Sequence, residues 1–414
     1  MGRQSQLTLT DVCKQIVDCE HKTAPTQGQG YPSIRTPNIG RGRLILDGVN
    51  RVSEDTYRAW TRRAVPRAGD LVLAREAPVG NVAIIPEGLQ VCLGQRTVLL
   101  RPDPLVINPA YLAYLLLGDE IQARFQGIAA GATVPHLNVD DIRSHVLPPL
   151  PPRKAQDAVA SILSAYDDLI ENNERRIRIL EELARRLYRE WFVHFRFPGH
   201  ERVKLVESAV GRVPEGWEVK RLGDLAEQVR DSVMPDGVPP DTPYFGLEHL
   251  PRRSITLGEW GAASAVQSTK LAFRKGDILF GKIRPYFHKV GVAPVDGLCS
   301  SDTIVIRSLR PDHFGLVLGC VSSDEFVAHA TQTSQGTKMP RANWGVLTRY
   351  PLPLPPVRVL RQFSSFATDA VAMTQNLLFR NRNLRETRDL LLPKLVSGEI
   401  DVSSLAIEPK DSQA

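Results

Sequence analysis

The sequence predicts an α+β chain: two mixed, strand-rich domains, each followed by one long amphipathic helix, arranged as an internal repeat. Three observations predict it. The first is repetition at long range. Arg67-Ala-Gly-Asp-Leu-Val-Leu-Ala-Arg75 recurs as Arg274-Lys-Gly-Asp-Ile-Leu-Phe-Gly-Lys282, an offset of 207; Gly131-Ala-Thr-Val-Pro135 recurs as Gly336-Thr-Lys-Met-Pro340, an offset of 205. Order and spacing survive across almost half the chain, which marks a tandem duplication rather than a solenoid of short repeats. The second is a seam: Leu163, Tyr166, Ile170, Asn173, Ile177, Leu180, Ala184, Leu187 and Trp191 fall at alternating steps of three and four, the pattern of a helix that pairs along its length. The third is the texture of the remaining chain, short apolar or alternating runs broken by Gly and Pro, which read as strands.

In order, the first domain covers 1–150. Arg43 to Leu46, Asp70 to Ala74, Asn81 to Ile85 and Thr97 to Leu100 are its strand runs, and Asn108 to Phe125 reads as a helix with Tyr111, Leu115 and Ile121 on one face. The tract Leu147-Pro-Pro-Leu-Pro-Pro152 then launches the central helix, assigned to 151–195, because proline cannot continue a strand and presets a first helical turn. From Gln156 to Trp191 that helix would run about 54 Å at roughly 1.5 Å per residue, the length of a spacer. Its other face, with Asp167, Asp168, Glu171, Glu174, Arg175, Arg178, Glu181, Glu182 and Arg185, is expected to face water. The second domain, 196–356, repeats the pattern with runs at Asp277 to Phe280, Val290 to Ala293 and Thr303 to Ile306 and a helical stretch near His313 to Ala330. Leu352-Pro-Leu-Pro-Pro356 launches the second long helix, 357–395, with Phe363, Phe366, Ala370, Met373, Leu377, Leu384 and Leu391 on one face and Arg380 interrupting it. A tail covers 396–414.

At 414 residues there is material for two or three domains with sizeable cores. No apolar run reaches the length of about 18 residues that a membrane span needs, and the polar opening resembles no signal peptide, so no membrane association and a cytoplasmic location are expected. Cys13, Cys19, Cys92, Cys299 and Cys320 are scattered, without a Cys-x-x-Cys pair, and are expected as buried free thiols. The net charge of +6 leans toward a polyanionic partner, and arginine outnumbers lysine, which suits bidentate contacts to guanine or phosphate or equally a GC-rich genome. The charge is uneven: the central helix balances, whereas Arg358 to Lys394 carries seven basic and three acidic residues.

Catalytic motifs fail on inspection. Gly276-Asp-Ile-Leu-Phe-Gly281-Lys282 nearly spells a phosphate-binding loop, but position 283 is Ile where a hydroxyl must hold Mg²⁺, and the intervening residues form an apolar strand. The Asp/Asn-Pro-Pro-Tyr/Phe tetrapeptide of an adenine methyltransferase is missing, and Asp11, Glu20 and Lys22 match a nuclease pattern only loosely and without repetition. His21, His136, His249 and His288 lack metal-ligand spacing. No catalytic residue, no metal and no cofactor is expected.

What remains is a set of basic loops at matching places in both halves. Thr133, His136 and Asn138 in the first half, and Lys338, Arg341 and Asn343 in the second, precede the return of the chain to its helix; they suit contact with bases or phosphates, or a structural turn. Arg35 and the stretch Tyr244 to His249 lie near each domain's start. Arg75 ends the repeated Gly-Asp strand, and Lys282, Arg284 and Tyr286 follow its second copy.

Five stretches stand in order along the chain: Leu147-Pro-Pro-Leu-Pro-Pro-Arg-Lys-Ala-Gln156, Leu169-Ile-Glu-Asn-Asn-Glu-Arg-Arg176, Glu190-Trp-Phe192, Val213-Pro-Glu-Gly-Trp217 with Leu222-Gly-Asp-Leu225, and Leu391-Leu-Pro-Lys-Leu-Val-Ser-Gly-Glu-Ile400. Through them, together with the half-repeat, the chain resembles the specificity subunits of type I restriction-modification systems over essentially its whole length. The resemblance implies two target recognition domains related by a pseudo-twofold repeat, each reading one half of a split double-stranded DNA site. Two long antiparallel coiled-coil helices would separate them and dock two methyltransferase subunits, and an endonuclease/translocase subunit would join. Tyr188, Trp191 and Phe192 are the expected partner contacts. Two other readings stay open: a self-contained DNA methyltransferase or nuclease, disfavoured by the missing motifs, and a coiled-coil assembly scaffold.

Overall fold

The computed structural model describes residues 6–130 and 135–402. It is a mixed helix-and-strand protein whose chain divides into two compact units, Met1–Ile170 with Asn383–Ala414, and Glu171–Arg382.

In the first unit a five-stranded sheet has the order Cys13–Asp18, Thr97–Pro102, Leu71–Ala74, Val82–Ile84, Gly42–Arg43. Its pairings are antiparallel except the last, which is parallel. Leu71–Ala74 is the middle strand and is apolar at every position because both its faces are covered. Successive side chains point to opposite faces of a strand. Leu71, Leu73, Val82, Val98 and Leu100 therefore pack on Tyr111, Leu112, Phe125 and Leu163, while Val72, Ala74, Ala83 and Leu99 close over Ile34, Ile39 and Ile85. The helix expected over Asn108 to Phe125 is two helices, Pro109–Leu117 and Asp119–Ala129, divided at Gly118, whose backbone is extended (ψ 146°). The strand expected from Arg43 to Leu46 is only Gly42–Arg43.

The second unit has a four-stranded antiparallel sheet, Ala226–Val229, Thr303–Ser308, Ile278–Gly281, Val290–Val292. The same alternation sends Ile278, Phe280, Val290, Ile304 and Ile306 to the helical side and Leu279, Ala293 and Val305 to Phe245, Leu250 and Leu257. The local wiring matches that of the first unit bond for bond. Asp70 accepts from the Arg67 backbone and takes the Arg101 guanidinium at 2.9 and 2.7 Å; Asp277 accepts from the Arg274 backbone and takes that of Arg307 at 2.8 and 2.7 Å. Both carboxylates are nearly inaccessible, so each needs its charge-assisted partner.

The long helices are Arg153–Tyr188, followed by a wider turn at Arg189–Val193, and Val357–Ser397. In the first unit Leu163 shares a core with Leu392 and Leu395, and buried Asp167 receives the Tyr114 hydroxyl at 2.6 Å and pairs with Arg388 at 2.5 Å. In the second unit the Asn173 amide donates to Asn381 at 2.7 Å, and Phe363 sits between Trp191 and Phe192, with ring centroids 5.8 and 4.8 Å away. There the helical segments run antiparallel. Gly319 lets them close on the domain: a Cβ at that position would lie 2.2 Å from the Tyr188 ring.

Three expectations need correction. Met373 is 46% exposed, and Thr374, 3% exposed, holds the inward position; a straight helix drifts relative to a strict seven-residue repeat, so the buried stripe passes through Phe363, Ala367, Val371, Thr374 and Asn381. Asp167 and Glu181 do not face water, because Asp167 serves Arg388 and Tyr114 while Glu181 accepts the Ser254 hydroxyl at 2.7 Å and the backbone amides of Ile255 and Thr256 at 3.0 and 2.8 Å. Tyr188, Trp191 and Phe192 are core residues, packed on Phe363 and Trp217 and nearly hidden from solvent, so they are not a docking surface. The other residues assigned to the seam lie inward or half-buried: Leu163, Ile170, Asn173, Phe363 and Leu377 are buried, and Tyr166, Ile177, Leu180, Leu187, Phe366, Leu384 and Leu391 intermediate. Cys19, Cys92, Cys299 and Cys320 are buried free thiols, and Cys13 is half-buried.

Candidate nucleic-acid interface

Strand Ile278–Gly281 ends at Lys282, where three separate stretches of the second unit converge. The Lys282 backbone amide donates to Asp302 at 2.9 Å, the Ala342 amide donates to the Lys282 carbonyl at 2.9 Å, and the Arg284 amide donates to Pro340 at 2.8 Å. Gln335 and Arg341 exchange backbone hydrogen bonds at 3.0 and 2.9 Å, closing the intervening loop into a small hairpin. The stretch with Lys282, Arg284 and Tyr286 is thereby brought beside the hairpin with Lys338 and Arg341, more than fifty positions away in sequence. The Lys282 ammonium donates to the Ser301 carbonyl at 2.6 Å, and Asp302 answers Arg341 at 3.4 Å and Lys282 at 3.9 Å. Lys338 is exposed, as are Tyr286 (52%) and Met339 (47%). Asn343 is committed differently: its side-chain oxygen accepts the Gly345 amide at 2.8 Å and caps the helix Trp344–Leu347.

Beside this cluster lie residues that the sequence alone does not single out. Arg252 stacks on Phe287, its guanidinium 4.2 Å from the ring centroid, and Arg253 pairs with Asp324 at 2.8 Å. Lys289 donates to the Leu247 carbonyl, and its burial, aided by the Arg252 charge, weakens its hold on its proton. In sequence the Leu250-Pro-Arg-Arg253 stretch spells none of the repeated motifs, so nothing in the repeat marks it. The arrangement is a cationic, aromatic-bearing rim of short loops on a rigid sheet. Such a rim can meet phosphates and base edges, and it holds no nucleophile with a neighbouring base.

Among its described residues the first unit forms a matching corner. The Leu137 amide donates to the Arg75 carbonyl at 2.9 Å, as Ala342 does to Lys282, and the Arg75 amide donates to Arg96 at 2.8 Å. Arg75 itself is a brace, a correction to its expected role: its guanidinium binds Leu137 at 2.7 Å and Asp18 at 3.1 and 3.2 Å, leaving the side chain 14% exposed. His136 and Asn138 flank that tie, half-buried and exposed, and the Asn138 amide donates to Asp141 at 3.2 Å. Arg35 is exposed beside Gly94. Thr133 lies outside the described residues.

Residues 6–182 match the family model described as the type I restriction modification DNA specificity domain. The specificity subunit of the type I restriction enzyme MjaIX of Methanocaldococcus jannaschii is 26% identical over 369 residues, covering 87% of this chain and 84% of that protein. The EcoDI specificity subunit of Escherichia coli is 27% identical over 343 residues, 76% of this chain and 75% of its own. These matches support a type I restriction-modification specificity subunit: the domain model covers residues 6–182, and the relatives align over most of the chain. The fold agrees: the crystal structure of the type I system S subunit from M. genitalium superposes with a TM-score of 0.60 at 14% identity, over 94% of this chain and 95% of that one. The rim around Lys282 joins exposed cations to a rigid framework. Among the described residues no helix is long and apolar enough to cross a membrane.

Proposed function

We propose that this subunit reads a bipartite duplex DNA site, one half with each strand-rich domain, without catalysing a reaction itself. The observation that carries the reading is the duplicated wiring: the Asp70–Arg101 and Asp277–Arg307 pairs, and the Leu137-to-Arg75 and Ala342-to-Lys282 ties, serve loops at the same place in each domain. Two copies of one recognition device on one chain suit a site in two parts. On this reading the domains are 1–150 and 196–356, the helices at 151–195 and 357–395 form the antiparallel coiled coil between them with 396–414 as a tail, and the halves are related by a pseudo-twofold repeat. Sequence readout would come from base edges met by Lys282, Arg284, Tyr286, Lys338 and Arg341, with Arg35, His136 and Asn138 in the other half.

Two methyltransferase subunits and an endonuclease/translocase subunit are the partners this reading assigns, in the cytoplasm. The docking surface moves from the buried aromatics to the outer face of the central helix, where Ile179 and Leu183 are 58% and 46% exposed and one turn apart, flanked by Arg175 and Arg186. An apolar pair in a charged border on a helix suits a partner helix. Co-expression with a type I methyltransferase, followed by long-read mapping of methylated sites, tests the reading: two fixed half-sites across a constant spacer are expected. A complex without sequence-selective DNA binding would leave a scaffold, and methyl transfer by the purified chain alone would make it an enzyme.

A further inference from the structure

Non-glycine residues with positive φ are uncommon, and the backbone strain they hold persists only where the surroundings over-determine them. Three meet at one place in the second unit: Arg284 (φ 49°) and His288 (φ 52°) bracket the turn Pro285–Phe287, and Arg253 (φ 59°) lies against it. The turn is held on every side. Arg284 donates to Pro340 at 2.8 Å, Arg253 donates to His288 at 2.9 Å, and within the turn Phe287 and His288 donate to Arg284 and Pro285 at 2.9 and 2.8 Å. The buried His288 ring bonds to the Ser322 carbonyl at 2.8 Å, and Arg252 and Arg284 lie over the Phe287 ring at 4.2 and 5.9 Å. All this fixes the backbone of a surface turn whose outward product is one side chain. Tyr286, 52% exposed and edge-on to Phe287 at 4.9 Å, follows Arg284 in the turn and belongs to none of the core clusters of the second unit.

We propose that the Arg284–His288 turn is a rigid finger that sets specificity at one base pair of the second half-site, through contact of the Tyr286 ring with a thymine methyl group. This rests on the DNA-reading role proposed above. A rigid aromatic on two side-chain torsions loses little entropy on contact, and apolar contact with the C5 methyl is what distinguishes thymine in the major groove. Arginines on either side supply phosphate or guanine contacts that place the ring. Exposed strain without such a product would be a cost with no return.

The test uses the subunit assembled with its methyltransferases and duplex probes in which each thymine of the second half-site is replaced in turn by deoxyuridine, which lacks only the methyl group. The wild-type complex is expected to lose about fourfold in affinity at one position, the value of one apolar carbon returned to water. Tyr286→Ala should bind the thymine and uracil probes equally at that position, and Tyr286→Phe should restore the difference. Arg284→Gly, which keeps the left-handed backbone, should lower affinity at every position alike. If the wild type is indifferent to uracil throughout, or Tyr286→Ala keeps the full preference, the finger is wrong. If the wild-type complex shows no preference for its second half-site at all, the reading of the domain as a DNA reader fails instead.

Discussion

Asp167 and Arg388, 221 positions apart, form an ion pair at 2.5 Å with 3% and 13% of their side chains exposed. The Tyr114 hydroxyl bonds to the second carboxylate oxygen at 2.6 Å, so one carboxylate ties the central helix, the last helix and the first domain. Removing Asp167 costs the Tyr114 hydroxyl its 2.6 Å acceptor and leaves Arg388, 13% exposed, with the surface carboxylate of Asp389 at 2.8 Å. Asp167→Ala is expected to destabilise the first unit by about 3 to 5 kcal/mol, whereas the apolar pair Asp167→Leu with Arg388→Met should recover most of that loss. Urea unfolding of the four variants in a double-mutant cycle measures both.

Protonation gives a second expectation. His145 is buried against Phe125, ring centroids 4.7 Å apart, with Nε2 lacking a hydrogen-bond partner, and burial together with the Arg124 charge pushes its pKa below the usual 6.5. His288 is lowered by burial too. A base whose folded pKa is depressed takes up its proton on unfolding, so stability is full above about pH 6.5 and falls as the solution is acidified through and below that value. The urea midpoint should drop between pH 7.5 and 5.5, and His145→Phe should make the drop shallower.

These two sites show what a linear reading can and cannot reach. The repeated Gly-Asp strands and the proline tracts are visible because strand alternation and proline chemistry act over a few residues. The burial of Asp167 and Glu181 is invisible for the opposite reason: each looks like one more charge on a solvated face until a partner from a distant segment arrives, Arg388 for one and the Ser254–Thr256 backbone for the other. The aromatics Tyr188, Trp191 and Phe192 mislead in the same way, since a periodic pattern says that a face is apolar but not what covers it. At the interface, Lys282 and Arg341 are legible as loop cations. Their shared carboxylate, Asp302, and the neighbouring Arg252 are not, because no periodicity links them.

Partner assembly separates the two sets of apolar residues. Ile179→Asp with Leu183→Asp is expected to leave the thermal transition within a few degrees of wild type while abolishing co-purification with the methyltransferase. Phe363→Ala, at the centre of the Trp191–Phe192 cluster, should instead cost about 3 to 5 kcal/mol of stability. Loss of assembly without loss of stability in Phe363→Ala would return docking to the aromatic cluster.

The loop cations divide by their neighbours. Lys338 is exposed, and Arg341 shares Asp302 with Lys282, so Lys338→Ala with Arg341→Ala removes two positive charges from the second rim. Binding to the second half-site should weaken by about 1 to 3 kcal/mol for each hydrogen-bonded base that either side chain reads, or the salt dependence should flatten if both meet phosphate only. Preference at the first half-site should be unchanged. Fluorescence anisotropy with probes scrambled in one half at a time reads the two separately.

The helices offer the last test. The chain passes between the two units only inside them, at Ile170–Glu171 and at Arg382–Asn383. A single insertion would be poorly tolerated: in one helix alone it would shift Asp167 past Arg388 or Asn173 past Asn381. Four residues added at both crossings lengthen each helix by about 6 Å and roughly one turn, which nearly restores the apolar face. Two residues added at both would rotate that face by about 200° and should unfold the pairing. With one base pair for about every 3.4 Å of duplex, the four-residue variant should methylate the same two half-sites across a spacer longer by one or two base pairs. Long-read mapping of methylated sites gives the spacer directly. An unchanged spacer with full activity would show that the helices do not set it, and altered half-sites would show that the domains do not read independently.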